Sequence, residues 1–195
     1  MSAEAYTSLY FVRHAESRFI EGQERERGLT EQGDLDAEKV AQLLHKEDVE
    51  VFYSSPYLRA VYTIQRLADL CGRSVFIEEG LRERTLSCSH VKHDDFHGAK
   101  RQLYRDATFA FPGGESGIQA QKRAINTIEQ MLGEHRGKKI VIGTHGDIMT
   151  LIFQHYNPSY GFDFWKGTTM PDIYRMDLDQ ADKMLQITRM WEGKM

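Results

Sequence analysis

Apolar runs that end abruptly on polar side chains alternate along the chain with stretches of mixed character. The runs at residues 6–12, 51–54, 75–77 and 140–142 are rich in β-branched and aromatic side chains, which predicts buried strands. In the stretches between them, apolar side chains recur at helical spacing and predict amphipathic helices, the first beginning at Thr30. Apart from the polar Gln121, the inward-facing stripes are Ala37, Val40, Ala41 and Leu44, and then Ile118, Ile125, Ile128 and Leu132. The alternation favours an α/β fold, a three-layer sandwich with a mostly parallel central sheet and helices on both faces.

Two segments depart from this alternation. Apolar runs at 173–178 and 185–191 flank a polar stretch at 179–183, which predicts a closing hairpin. The segment from Gly80 to Gly114 is interpreted as a small cap insertion, at about residues 80–114, in a single domain that covers residues 1–195. The cap is expected to set specificity, and its aromatic side chains either pack internally or line a substrate pocket. These side chains are Phe96, Tyr104, Phe109 and Phe111.

Composition narrows the classes of function. A chain of 195 residues, 41% of them hydrophobic, can bury one sizeable core. Its formal net charge of -4 comes from 29 acidic and 25 basic residues that are well mixed, so no basic field indicates nucleic acid or an anionic membrane as a partner. Cys71 and Cys88, in a chain with no charged-then-apolar leader, suggest free thiols and a cytoplasmic protein. No apolar run approaches the ~20 residues of a membrane span.

Two charged or titratable segments have plain interpretations. The charged stretch at residues 21–27 is expected to be a solvated turn. His90, His93 and His97 have a spacing that resembles metal ligands, but the intervening Lys92 and the lack of a carboxylate or thiolate frame argue against a zinc site. We therefore expect no metal and no cofactor.

Candidate chemistry lies at the ends of the predicted strands. The first strand stops at Arg13-His14, and a later one stops at His145. Ligands of open α/β sheets bind beyond the carboxyl ends of strands, where a guanidinium would bind phosphate oxygens and a neutral imidazole could accept a phosphoryl group. Ser54-Ser55-Pro56 predicts a helix start, and Arg59 would add positive charge at an anion-attracting helix N-terminus. Without these neighbouring motifs, Arg13 would be interpreted as a surface ion-pair residue and His14 as a capping histidine.

With these motifs in this order, the chain resembles the histidine phosphatase superfamily, which includes cofactor-dependent phosphoglycerate mutases. The resemblance covers most of the chain. The matching motifs are Arg13-His14-x-Glu16, Leu29-Thr30-x-x-Gly33, Ser54-Ser55-Pro56-x-x-Arg59-Ala60-x-x-Thr63, Leu81-x-Glu83, Pro112-Gly113-Gly114-Glu115-Ser116 and Thr144-His145-Gly146.

The resemblance implies a role for each matching residue. His14 would be the phosphorylated nucleophile, Arg13, Arg59 and His145 would bind the phosphate, and Glu83 would be the general acid. Ser55 stands at the position that is expected to help orient His14. The alternative for Glu83 is that it only pairs with Arg82 and Arg84.

Three positions depart from the family pattern. Ala15 replaces a usual Gly, so no positive φ is expected there. Ile20 replaces a frequent Asn, so one phosphate contact is missing or is supplied by Ser17. Residues 84–89 form an unusual loop after the acid.

The resemblance implies an enzyme, with alternatives. A metal-independent phosphomonoester hydrolase acting on a small phosphorylated metabolite is preferred, because the chain lacks the longer insertion, between residues 20 and 29, with which mutases hold their bisphosphate cofactor. A phosphoglycerate mutase is the second interpretation. A phospho-ligand binder without turnover is the third, although His14, Glu83 and His145 are all present.

Overall fold

The described residues form one central sheet and the helices that pack on it. The structure is a computed structural model that describes residues 6–20, 22–87 and 95–192. Its strands are β1 (Thr7–Arg13), β2 (Val51–Ser54), β3 (Val75–Ile77), β4 (Lys139–Thr144), β5 (Asp172–Leu178) and β6 (Met184–Arg189). Its α-helices are α1 (Glu31–Leu44), α2 (Leu58–Leu70), α3 (Phe96–Arg105), α4 (Gly117–Glu134), α5 (Gly146–Tyr156) and α6 (Phe162–Gly167), and short 3-10 helices cover His45–Glu47 and Glu79–Leu81.

The sheet has six strands in the order β3-β2-β4-β1-β5-β6. The strands β1 to β4 are parallel, whereas β5 runs antiparallel to β1 and forms a hairpin with β6. The mostly parallel sheet and the closing hairpin confirm the prediction. Parallel neighbours end at the same edge of the sheet, which fixes where residues after β1, β2 and β4 meet.

Side chains that alternate along the central strands pack into two separate hydrophobic cores. Leu9 and Phe11 of β1 contact the core that contains α4 and α5, whereas Tyr10 and Val12 contact the core that contains α1 and α2. Because successive strand residues point to opposite faces, the helices cover both sides of the sheet. The three-layer α/β sandwich is therefore confirmed. Within the described residues, no helix is both long and apolar enough to span a membrane.

Several element boundaries and environments differ from the expectations. The strand at 75–77 is present, but it lies at the edge of the sheet and is half-exposed instead of buried. Ile118 is 50% exposed, because the buried stripe of α4 passes through Ala120 and Ala124. The helix after Ser54-Ser55-Pro56 begins at Leu58 with Tyr57 as its N-cap residue. Periodicity fixes the helical face only approximately when a small residue is as well buried as a large one.

The N-terminus of α1 packs directly against the backbone that follows β1. The Thr30 hydroxyl accepts a hydrogen bond from the Gly33 amide, as an N-cap side chain does, and the Thr30 amide donates to the Glu16 carbonyl. A Cβ atom on Gly33 would lie 2.1 Å from the Glu16 carbonyl oxygen. The Leu29-Thr30-x-x-Gly33 motif thus holds the chain two residues beyond His14 against the helix.

We expect Gly33→Ala to lower the free energy of unfolding by about 1 to 3 kcal/mol, because the added methyl group collides with backbone. The matched control is Gly133→Ala in α4, where a Cβ meets nothing within 4 Å. That change should stabilise the protein by about 0.5 to 1 kcal/mol through helix propensity alone. Urea denaturation with an unchanged m value measures both effects, and equal stability of the two variants would contradict the packing argument.

Candidate active site

The ends of three parallel strands bring the predicted site residues to one edge of the sheet. The His14 amide donates to the Thr144 carbonyl at 3.0 Å, and the Ser55 amide donates to the Gly143 carbonyl at 2.9 Å. The sheet ladder therefore continues one residue beyond β1 and β2, and it places the His14 and His145 rings with their centroids 5.2 Å apart.

A cavity of about 560 Å³ opens above this edge. Arg13, His14, Arg59 and Glu83 all line it, and the buried His145 ring lies directly behind His14. The close approach of Arg13 requires the glycine after His145, because a Cβ atom on Gly146 would lie 2.9 Å from the Arg13 Cζ atom. The structure thus brings together all five residues that the sequence singles out.

His14 is held as a neutral imidazole in one tautomer. Its Nδ1 atom lies 2.8 Å from the Ala15 carbonyl oxygen, which can only accept, so Nδ1 carries the proton and Nε2 keeps its lone pair. Burial, reinforced by the charge of Arg59, lowers the pKa of His14 well below 6.5. Ala15 has no positive φ, as expected, and its amide donates to the Thr63 hydroxyl at 2.9 Å. The geometry leaves Nε2 as the ring nitrogen with an available lone pair.

Ser55 contacts His145 and not His14, so the expectation that it orients His14 is wrong. The Ser55 Oγ atom lies 2.7 Å from Nε2 of His145 and accepts a hydrogen bond from the Tyr57 amide. Burial, followed by the proximity of His14, lowers the pKa of His145 well below 6.5, so this ring is also neutral. When the Ser55 hydroxyl donates to Nε2, the buried Nδ1 atom is an N–H donor, and no described residue accepts from it.

Arg13 is partly buried and Arg59 is buried, and each has an N–H donor without a partner among the described residues. Arg13 donates to the carbonyl and hydroxyl oxygens of Thr168, and Arg59 donates to the Glu24 carbonyl. The Nε atoms of both guanidinium groups are buried and have no hydrogen-bond partner among the described residues. Burial lowers the pKa of Arg13, and it lowers that of Arg59 to about 10, so both remain charged at neutral pH. Buried, charged N–H groups of this kind suit an oxyanion.

Glu83 lies against the N-terminus of α5 and does not pair with its arginine neighbours. Its Oε1 atom accepts hydrogen bonds from the amides of Arg84 and Ile148, both at 2.9 Å, and its Oε2 atom accepts from the Asp147 amide at 3.2 Å. The Arg82 side chain pairs with Glu115, and the Arg84 side chain pairs with Asp147. The alternative in which Glu83 merely balances Arg82 and Arg84 is therefore wrong.

Arg123 of α4 fixes the segment that carries Glu83, a role that the sequence analysis missed. Its guanidinium donates to the carbonyls of Gly80, Arg82 and Glu83 and pairs with Glu115. Glu115 in turn accepts from the Thr85 amide at 3.2 Å, and its own amide donates to the Thr85 carbonyl at 2.8 Å. An arginine between Ala120 and Ala124, beside the apolar stripe of α4, is the sequence signal that could have shown this clamp.

Asp147 is the second residue that the sequence analysis missed. Its fully buried carboxylate binds the guanidinium of Arg84, the ammonium of Lys100 and the hydroxyl of Tyr104. Burial raises the pKa of Asp147, but Lys100 and Arg84 outweigh this and lower it to about 2. The cluster joins α3 to α5 beneath the cavity. An aspartate directly after a strand-terminal His-Gly pair, in an otherwise apolar helix, was the available signal.

Two other expectations are revised or stay open. The charged stretch is more than a solvated turn, because Glu24 and Arg27 line the cavity and the Arg25 carbonyl accepts from the amide that begins α2. His90 and His93 lie outside the described residues, whereas the His97 ring contacts Phe96 and Trp165. No cluster of three or more potential ligands that could hold a metal ion occurs in the described part of the chain.

The remaining aromatic residues of the cap segment divide between packing and the cavity. Phe109 and Phe111 pack edge to face with each other, and Tyr104 is part of the Asp147 cluster. Phe96 lines the cavity. The cysteine pair is only half described: Cys71 has a free thiol, and Cys88 lies outside the described residues.

Comparisons with known proteins find similar sequences and folds. The family model of the histidine phosphatase superfamily (branch 1) matches residues 9–188. The chain is 29% identical to a phosphoglycerate mutase-like protein of Arabidopsis thaliana over 79% of this chain and 73% of that protein. It is 30% identical to a metal-independent phosphoserine phosphatase of the same plant, over 75% and 67% of the two chains.

A solved structure gives the same fold. The mycobacterial glucosyl-3-phosphoglycerate phosphatase in complex with vanadate superposes with a TM-score of 0.79 at 20% identity, covering 98% of this chain and all of that one.

The burial of two neutral histidines predicts a pH-dependent stability. Because the folded-state pKa values of His14 and His145 lie below 6.5, the unfolded chain binds more protons as the pH falls below that value. Between about pH 6.5 and 5, each histidine should lower the free energy of unfolding by up to about 1.4 kcal/mol per pH unit. Denaturant titrations in a buffer without phosphate measure this slope.

His14→Gln should remove the contribution of His14 to the slope of unfolding free energy against pH. The exposed His155 provides the control, because His155→Gln removes a histidine without removing a buried one. A wild-type slope no steeper than that of the His14→Gln, His145→Gln double variant would show that burial of these rings does not set the acid sensitivity.

Proposed function

Because the chain belongs to the histidine phosphatase superfamily, we propose that it hydrolyses phosphomonoesters of small metabolites through a phosphohistidine formed on His14. The observation that carries the proposal is the state of His14, a buried neutral ring whose Nδ1 proton is held by the Ala15 carbonyl. Its Nε2 lone pair faces a cavity that two guanidinium groups make positive. This arrangement supplies a nucleophile and anion-stabilising groups in one place.

In the first step, Nε2 of His14 attacks phosphorus, and the bond from phosphorus to the ester oxygen breaks. We assign charge stabilisation on the phosphoryl oxygens to Arg13, Arg59 and His145. The Nε atoms of both arginines and the Nδ1 atom of His145 are buried and have no protein partner among the described residues. Phosphoryl transfer depends mainly on such positioning and electrostatic stabilisation.

We assign the proton transfers to Glu83. Its protonated carboxyl group gives a proton to the departing oxygen, and the resulting carboxylate later accepts a proton from the water that attacks the phosphohistidine. That second attack breaks the P–N bond and returns the electron pair to Nε2. The three amide hydrogen bonds to Glu83 and the Arg123 clamp support this role, because they hold the carboxyl group rigidly at the cavity wall.

Relatives with both phosphatase and mutase names leave a second candidate, a phosphoglycerate mutase. We favour hydrolysis because no insertion for holding a bisphosphate is present between residues 20 and 29. The proposal includes activity without a metal or cofactor, segment 80–114 as a cap on a single domain, and a cytoplasmic location. The free thiol of Cys71 supports that location, and the mixed surface charge suits a small phosphorylated substrate in place of nucleic acid or membrane.

We expect His14 to carry the phosphoryl group during turnover. Brief incubation with a phosphorus-labelled ester, followed by peptide mapping, should give an acid-sensitive, alkali-stable label on the peptide that contains His14. His14→Ala should abolish the label and reduce kcat by at least ~10³, because no other group replaces the nucleophile.

His155→Ala should label like the wild type, which controls for loss of any histidine. A label that persists in His14→Ala would refute the assignment. The fate of the label separates the two candidates: with 3-phosphoglycerate and bisphosphoglycerate together, inorganic phosphate should form faster than 2-phosphoglycerate, and the reverse order would identify a mutase.

Glu83→Gln should slow phosphoenzyme formation by ~10² to 10⁴ for alkyl phosphates, whose leaving oxygens need a proton. Activated aryl phosphates should be slowed much less, because a nitrophenolate leaves without a proton. The measurement is the pre-steady-state burst, which reports the first step separately from dephosphorylation.

Glu79→Gln is the matched control, since Glu79 is exposed and pairs with Arg25 away from the cavity. If Glu83→Gln slows the burst equally for both kinds of ester, Glu83 has a structural role and the proton donor lies elsewhere.

A further inference from the structure

Beyond its phosphate end, the cavity opens between exposed apolar side chains. Phe19 is 76% exposed, Phe96 is 46% exposed and Met170 is 48% exposed, and all three line the cavity. The half-buried Trp165 joins them, with its ring centroid 6.0 Å from that of Phe96. Single exposed apolar residues are ordinary, but three exposed residues and the half-buried Trp165, which come from three stretches of the chain and surround one opening, indicate a contact surface.

The cations in the same part of the cavity already have carboxylate partners. Arg27 pairs with Glu24 at 3.1 Å, and Arg84 and Lys100 both pair with the buried Asp147. Lys100 also lies over the Phe96 and Trp165 rings, at 5.7 and 5.5 Å from their centroids. Two cations are left for the phosphate: Arg13, which pairs with no carboxylate in the described part of the chain, and Arg59, whose contact with the shared Glu24 carboxylate is longer, at 3.6 Å.

The charge balance disfavours a second anionic group. Among the described lining residues, five cations face the carboxylates of Glu16, Glu24 and Glu83, and Asp147 lies directly behind two of those cations. One net positive charge therefore remains, or two when Glu83 is protonated for the first step, and a phosphate dianion neutralises both. A carboxylate or second phosphate on the same substrate would then meet no net positive charge among the described lining residues.

We propose, as an extension of the proposed function, that the leaving group of the substrate is uncharged and apolar or aromatic and packs between Phe19, Phe96 and Trp165. The Asp147 cluster then acts as a specificity determinant, because it neutralises the cations that would otherwise bind a carboxylate. The inference rests on the phosphate end being held by Arg13, Arg59 and His145 as proposed above.

Two phosphonates with the same phosphate-like end test the inference, 3-phenylpropylphosphonate and 3-carboxypropylphosphonate. Isothermal titration calorimetry should show the phenyl compound to bind at least about tenfold more tightly, through burial of its ring. Phe19→Ala and Phe96→Ala should each lower the affinity for the phenyl compound about three- to tenfold and leave the affinity for methylphosphonate within twofold of the wild-type value. The control Phe76→Ala removes an exposed ring from β3, outside the cavity, and should change the affinity for neither ligand.

Tighter binding of the carboxylate, binding of neither compound, or equal loss for all ligands in the Phe19 and Phe96 variants would overturn the inference. Phosphonates are not hydrolysed, so their binding preference is independent of turnover. A preserved preference in a protein that forms no phosphohistidine would refute the proposed function alone. Active turnover with a preference for carboxylate esters would refute only the apolar leaving group.

Discussion

The parallel hydrogen bond from the His14 amide to the Thr144 carbonyl, 3.0 Å long, determines the arrangement of the whole site. It sets β1 and β4 in a register that ends both strands at one level, so their two terminal histidines meet ring against ring. The same register starts α5 at Gly146, beside Arg13, and brings the first amides of that helix to Glu83. Backbone geometry thus assembles groups that lie more than 130 residues apart in sequence.

Features that depend on local chemistry could be predicted from the sequence. The strand that stops at Arg13-His14 and the one that stops at His145 are local patterns, and both end where they were expected. The edge position of β3 was not predictable in this way, because three apolar residues look the same whether a further strand or solvent lies beside them.

Partners across the sheet could not be predicted, because the sequence gives no distance between side chains in different elements. Ser55 follows β2, whose neighbour is β4 and not β1, and its hydroxyl therefore meets His145 before it could reach His14. Glu83 likewise has arginines beside it in the chain, but those side chains turn to Glu115 and Asp147. Strand order decided the partner of Ser55, and carboxylates from two other segments of the chain decided the partners of the arginines beside Glu83.

The hydrogen bonds between Thr85 and Glu115 form a clasp, which affects the changes of sequence that the protein can tolerate. The amide of Glu115 donates to the Thr85 carbonyl at 2.8 Å, so the excursion of about thirty residues between them begins and ends at one point. Arg123 anchors the backbone just before it, at the Glu83 carbonyl. The entropy of closing a loop grows only with the logarithm of its length, so residues can be added or removed in the parts of the excursion outside α3 at small cost. Glu83 lies outside the clasp, whereas Phe96, on one side of the cavity, lies inside it. Exchange of this one excursion would therefore remodel one side of the cavity while Glu83 and the strand-terminal histidines stay in place.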